Sequence, residues 1–200
     1  MQNSKNLDSI SDEQLVKELQ AGSEEAFNLL FERYRPRIAA FSKYICKNED
    51  QAEETCQEAF IKAFQSIRQF KGQSSFTTWL HTIAKNLCWS RKRKVKAHPV
   101  ESLDTAAFGE KITSQPRQIR DWSQQPDEVL MSKEISSVID EAIKKLPQDY
   151  RAVLVMKDME ELSNEEISKI LKLSVPAVKS RLHRARLFVR QKIDRYFQEN

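Results

Sequence analysis

Leu162-Ser-Asn-Glu-Glu-Ile-Ser-Lys-Ile-Leu-Lys-Leu-Ser-Val-Pro-Ala-Val-Lys-Ser-Arg-Leu-His-Arg-Ala-Arg186 is the stretch that decides how this chain is read. Ser163 with Glu166 three residues on makes a capping box, so a helix opens there and turns Ile167, Ile170 and Leu171 inward. Lys172-Leu173-Ser174 is a tight break, and a longer helix follows with Pro176 in its first turn, where a missing N–H is tolerated. With Val178 at the centre of its inner face, a step of about 100° per residue sets Leu182, Ala185 and Val189 beside it. The same arithmetic turns Pro176, Ser180, His183, Arg184 and Leu187 outward, with Lys179 and Arg190 on the flanks. Two helices joined by a short break, the second strongly basic, form the helix-turn-helix pattern. From Lys172 to Arg195 eight basic residues stand against one acid, Asp194, a balance suited to a polyanion. Arginine forks guanine, short polar side chains allow close approach, and flanking cations neutralise phosphates. His183 counts only because it shares a face with Ser180 and Arg184.

Upstream, residues 127–146 carry a helical apolar stripe from Val129 to Leu146, and Pro147 opens another helix through Tyr150, Val153 and Leu154. Residues 97–126 differ in character. Pro99, Pro116 and Pro126 fall here among Ser, Gln and Gly109, and a loop this long is unusual inside one domain, so it reads as a linker.

The first half is helical again. Ser11 with Gln14 opens a short helix that stops at Gly22, and a second starts near Ser23 with Phe27, Leu30, Phe31, Tyr34, Ile38, Phe41 and Ile45 at steps of three and four. Pro36 is expected to kink it. A third opens at Asn48 with the stripe Ala52, Cys56, Ala59, Phe60, Ala63 and Ile67; a fourth opens at Ser74 or Ser75 with Phe76, Trp79, Leu80, Ile83 and Leu87 inward, and ends in the basic run from Arg91 to Lys96. Strand-like alternation is absent. The expected class is all-α, two small helical domains joined by a flexible linker: residues 1–96, 97–126 and 127–200.

Charged residues make up 31% of the chain and no apolar run is long enough to span a bilayer, so no membrane insertion is expected. The amino terminus has no signal-peptide character, which makes the cytoplasm the expected location. Three cysteines, Cys46, Cys56 and Cys88, at irregular spacing argue against a disulfide framework and against zinc. Cys56 and Cys88 read as small buried hydrophobes. Neither a metal nor a cofactor is expected.

The fourth helix has an unusual outer face. Opposite Ile83 and Leu87 it carries Thr78, Thr82, Lys85, Asn86, Trp89 and Arg93, a mixture of cation, amide, hydroxyl and ring suited to unstacked bases and a phosphate backbone. The third helix turns Asp50, Glu54, Gln57, Glu58 and Ile61 away from its own stripe, an acidic surface around one apolar side chain that fits a protein partner.

Two segments sharpen the reading. Leu146-Pro-Gln-Asp-Tyr-Arg-Ala-Val-Leu, Leu162-Ser-Asn-Glu-Glu-Ile and Val178-Lys-Ser-Arg-Leu-His-Arg-Ala-Arg resemble region 4 of sigma-70 family factors, in particular the extracytoplasmic-function (ECF) branch. Phe70-Lys-Gly-Gln-Ser-Ser-Phe-Thr-Thr-Trp-Leu-His-Thr-Ile-Ala-Lys-Asn resembles region 2 of the same branch. The resemblance implies an alternative sigma factor, not an enzyme, whose partners are core RNA polymerase (β′ coiled coil and β flap), promoter DNA and an anti-sigma factor. By position it implies that Lys179, Ser180, His183 and Arg184 face bases of the −35 element, with Arg181 and Arg186 towards the backbone or packing. Phe70, Ser74, Ser75, Ile83 and Asn86 fall where the family holds a base flipped from the −10 element, and Thr82, Lys85, Trp89 and Arg93 extend that face. The acidic side of the third helix falls where the family grips polymerase. Flipping costs a few kcal/mol per base, so a pocket that holds the base turns binding into duplex opening without hydrolysis.

Two other readings compete. A stand-alone helix-turn-helix regulator would bind a palindrome as a dimer, but leaves the Phe-Lys-Gly loop and the polar-aromatic face without a task. An enzyme acting on nucleic acid needs clustered acids or metal ligands, and the acids here lie dispersed on helix faces.

Overall fold

Residues 10–46, 48–95 and 128–199 are described by the structure, a computed structural model, and among them every regular element is helical. Local chemistry starts the first four helices where the sequence indicates. Ser11 Oγ accepts from the Gln14 N–H (3.3 Å) at the head of α1, Asp12–Gln20. Ser23 Oγ accepts from Ala26 (3.2 Å) to open α2, Glu24–Ile45, and Asn48 Oδ1 accepts from Gln51 (2.9 Å) to open α3, Glu49–Ser66. Between α1 and α2 the chain turns at Gly22, whose φ of 100° is cheap only without a Cβ. α2 runs unbroken through Pro36. Ser75 caps α4, Phe76–Val95, through its hydroxyl on the Thr78 N–H (3.2 Å).

These four helices close one core around Leu15, Leu30, Ile38, Phe41, Ala59, Leu80 and Ala84, none more than 1% exposed. One polar network crosses it: the Asp12 carboxylate receives the Arg33 guanidinium and the Tyr34 hydroxyl, and Thr77 donates to the same phenol oxygen (2.9 Å). Burial, then the bond to Asp12, pushes the Tyr34 phenol up to about 12, so it stays a donor and ties α1 to α2 and α4. Trp79 lies on the rim, half-buried, with its ring 5.0 Å from Phe70 and 5.9 Å from Phe76.

The second half repeats the plan. α5 (Glu128–Lys145) and α6 (Gln148–Leu154) pack across α8 (Val175–Glu199), and a π turn at Val155–Met159 leads towards α7 (Asn164–Leu171). The Ser163–Glu166 capping box forms in both directions. The tight break is a left-handed residue, Lys172 (φ 55°, ψ 47°), whose N–H returns to the Ser168 carbonyl. The second core holds Val153, Met156, Ile167, Ile170, Val178 and Ala185, all fully buried.

The two halves dock, with α4 against α7 and α2 against α6. The segment expected to link them, 97–126, lies outside the described residues.

One expectation fails. Cys46, which ends α2, and Cys88 on α4 form a disulfide, with Cα atoms 5.5 Å apart across 42 residues of sequence. Spacing along the chain carries no trace of this, because the partners meet only after α2, α3 and α4 fold together. Cys56 is the small buried hydrophobe expected of it, and burial pushes its thiol up.

Candidate nucleic-acid interface

α8 presents the expected reading face. Lys179, Ser180, His183 and Arg184 are all exposed, while Val178, Leu182 and Ala185 on the other side are buried. Arg184 reaches back only loosely, 3.4 Å from the Tyr150 hydroxyl. Arg181 and Arg186 differ. Arg181 lies 3.6 Å from Asp149 with its guanidinium 6.0 Å above the Tyr150 ring. Arg186 forks Asp158, Nε to Oδ2 at 3.0 Å and a terminal nitrogen to Oδ1, which holds its guanidinium still more firmly protonated. Asp149 stands on α6, which packs across α8, and Asp158 on the π turn that follows it.

The α4 side is built on a pinned loop. Gln20 Nε2 donates to the carbonyls of Ile67 and Phe70, both at 2.9 Å, and Gly72 turns the chain with φ 68°. Phe70, Ser74, Thr82, Ile83 and Trp89 are half-buried, while Ser75 and Asn86 are exposed. Thr82 turns its hydroxyl to the Thr78 carbonyl (2.8 Å). Arg93 lies on α4, but its side chain is outside the described residues.

Here the structure corrects the expected solvent face. Thr78 and Lys85 are buried, at 3% and 9% exposure. The Lys85 ammonium donates to the Ile170 carbonyl (3.0 Å) in the last turn of α7, where the helix dipole favours a cation. Ser75 Oγ lies 3.0 Å and Thr78 Oγ1 3.3 Å from Glu166 at the other end of the same helix. A helical pattern identifies a face that avoids its own core; it does not say whether water or a second domain covers it.

Sequence reasoning also missed the charges behind this contact. Arg37 on α2 donates through Nε to Glu160 Oε2 (3.1 Å) and through a terminal nitrogen to the Glu160 carbonyl (2.7 Å). The buried His81 imidazole lies 3.7 Å from the same carboxylate, and Tyr44 bonds Asp140 of α5 (2.7 Å). No local signal marks residues whose partners lie this far along the chain.

On α3, Asp50, Glu54 and Gln57 are exposed and Glu58 pairs with Lys62 (2.9 Å) one turn on. Ile61 is 55% exposed, and Phe64, which the sequence reading left out, is 50% exposed with its edge on Phe27 (5.2 Å). Two large apolar side chains left in water beside acids mark a contact surface. The i, i+3 spacing from Ile61 could have found Phe64.

A basic, exposed helix face in a helix-turn-helix, a partly polar helix beside a pinned loop, and an acid-framed apolar patch on a third element are the features of a helix-turn-helix DNA-binding protein. Comparison with known proteins makes this specific. Residues 30–98 match the family model for sigma-70 region 2 and residues 136–189 that for sigma-70 region 4. The chain is 36% identical over 178 residues to the ECF RNA polymerase sigma factor SigW of Bacillus subtilis, covering 89% of this chain and 94% of that one. Its fold is similar to CnrH, solved in complex with the cytosolic domain of CnrY (TM-score 0.65, 20% identity, 92% of this chain and 97% of that one). It is also similar in fold to RpoE of Bartonella quintana, solved with the anti-sigma factor NepR (TM-score 0.61, 23% identity, 84% and 96%). The chain belongs to the ECF branch of the sigma-70 family of RNA polymerase sigma factors. It is an alternative sigma factor, a non-catalytic subunit that joins core RNA polymerase and directs initiation at specific promoters.

Proposed function

We propose that Lys179, Ser180, His183 and Arg184 read the −35 element in the major groove, with Arg181 and Arg186 held by Asp149 and Asp158 as braces at its edge. The observation that carries this is the division of α8 into a buried side at Val178 and Ala185 and an exposed polar side at those four positions. Phe70, Ser74, Ser75, Thr82, Ile83, Lys85, Asn86, Trp89 and Arg93 hold the opened −10 strand. Asp50, Glu54, Gln57, Glu58 and Ile61, with Phe64 added, clasp polymerase. Residues 1–96 act as the −10 and polymerase domain, 97–126 as a linker and 127–200 as the −35 domain. The protein works in the cytoplasm; among the described residues no helix is long and apolar enough to cross a membrane. An anti-sigma partner fits the same reading, since the structurally similar RpoE was solved with one.

Ser75 and Lys85 have two suitors in this scheme, α7 and the promoter strand. The strand is held only after α7 leaves α4, so promoter capture and separation of the two halves are one event.

The test is transcription with core polymerase on a promoter library, wild type beside Arg184→Ala. A base-reading Arg184 predicts that discrimination at one or two upstream positions relaxes by about 1–3 kcal/mol. Uniform weakening on every template would instead make Arg184 a phosphate contact.

A further inference from the structure

Cys46 and Cys88 are the one covalent crosslink among the described residues, and they join the end of α2 to the middle of α4. In the cytoplasm thiols are kept reduced, and disulfides that form there are as a rule transient ones that sense or transfer oxidising equivalents. A pair brought to bonding position inside a folded domain, with Cα atoms 5.5 Å apart, closes without backbone movement. The unequal exposure of the two suits stepwise chemistry: Cys46 is half-buried and reachable, whereas Cys88 is 5% exposed. The third cysteine, Cys56, is buried and its thiol pushed up by burial, so it stays out of the exchange.

The crosslink also sits where the halves meet. Tyr44, two residues before Cys46, holds Asp140 of α5 (2.7 Å), and Lys85, one turn before Cys88, holds the Ile170 carbonyl of α7 (3.0 Å). These two of the second half's anchors stand on the segments that the bond joins, and Arg37 on α2 and Thr78 on α4 hold Glu160 and Glu166 from the same two helices.

We propose that Cys46 and Cys88 are a reversible dithiol–disulfide site for low-molecular-weight disulfides of the glutathione type, and that the oxidised form keeps the two halves docked. This rests on the cytoplasmic location and the α4 strand site proposed above. The Cys46 thiolate attacks the external disulfide, forms a mixed disulfide and expels one thiolate. The Cys88 thiolate then attacks Cys46 Sγ and expels the second. Two protein thiols are oxidised to one disulfide, the external disulfide is reduced to two thiols, and the two thiol protons pass to the departing thiolates. Oxidised, the anchors at Tyr44 and Lys85 move as one body and α7 stays on α4. Reduced, the end of α2 and the middle of α4 are held together by packing alone, and the strand site opens more readily.

The experiment uses the full chain, reduced and then treated with glutathione disulfide, with excess oxidant removed before core polymerase is added. The expected results are loss of two hydrogens by intact mass, a fall from three alkylatable thiols to one, and run-off transcription lower by several-fold and restored by dithiothreitol. Cys46→Ser and, separately, Cys88→Ala should initiate normally and ignore the oxidant; the first alters only a half-buried helix end, so a folding defect in the second leaves the test intact. A pair that stays fully alkylatable overturns the proposal, and so does an oxidised chain that initiates as well as the reduced one. Failure of the strand-site reading shows separately, as Asn86→Ala opening promoters normally while the thiol count still falls on oxidation.

Discussion

Glu166 accepts from the Ser163 backbone N–H (2.9 Å) through one oxygen, closing the capping box, and faces the Ser75 hydroxyl (3.0 Å) with the other. Burial pushes its carboxyl up, but the bonds from Ser163, Ser75 and Thr78 together outweigh burial, and the net shift is downward. A carboxyl lowered in the folded state contributes stability that is complete above the unfolded value, about 4.3, and that is lost as pH falls through the folded value. Acidification from neutral pH to well below the ordinary glutamate range should therefore loosen the start of α7 and its hold on Ser75 and Thr78. Hydrogen exchange of the α7 amides checks this, with Glu166→Gln expected to exchange faster at neutral pH and to lose the response to acid over that range. Half of this residue was legible: a serine followed three places later by a glutamate announces a cap. The other half was not, because the oxygen facing Ser75 is 91 residues away in sequence.

Helices were the best-read level. Ser11, Ser23, Asn48 and Ser163 each cap as their sequence context predicts, and the buried side of α8 follows from Val178 by angular arithmetic alone. Reading faltered where an element serves two surfaces. α4 shows a polar outer stripe, and polarity cannot separate a side that meets water from one that meets the carbonyl end of α7. α3 is simpler, since Asp50, Glu54, Gln57, Ile61 and Phe64 all stay exposed. Glu58→Lys places a cation inside that surface and breaks the half-exposed pair with Lys62, worth about 0.3–0.5 kcal/mol. Folding should hardly change. Affinity for core polymerase should drop about tenfold, the scale of one unfavourable charge at an interface, while binding to a −35 duplex stays as in wild type. Fluorescence titrations with each partner decide it, and an equal loss in both would count against α3 as the polymerase surface.

At the scale of the molecule the sequence spoke for two helical cores and was silent on their contact. The contact joins apolar packing, continuous from one core to the other, to long-range polar bonds: Arg37 to Glu160, Tyr44 to Asp140 and Lys85 to Ile170. Such bonds suit a separable interface, because each group regains water when the halves part. Glu160 matters most, being 4% exposed and facing both Arg37 and His81 when docked. Arg37→Ala leaves that carboxylate buried with its strongest partner gone, a penalty present in the docked form and relieved in the open one. With Arg37 itself 39% exposed, a cost of about 1–2 kcal/mol to docking is reasonable for a charged hydrogen-bonded pair, equivalent to a factor of about 5–30 in the opening equilibrium. Arg37 lies outside every surface assigned to DNA or polymerase, so any gain must come through docking. The full-length variant should therefore bind a single-stranded −10 oligonucleotide more tightly by up to that factor and show a larger radius by small-angle scattering. Unchanged affinity together with an unchanged radius would mean that α7 does not compete with the strand for α4.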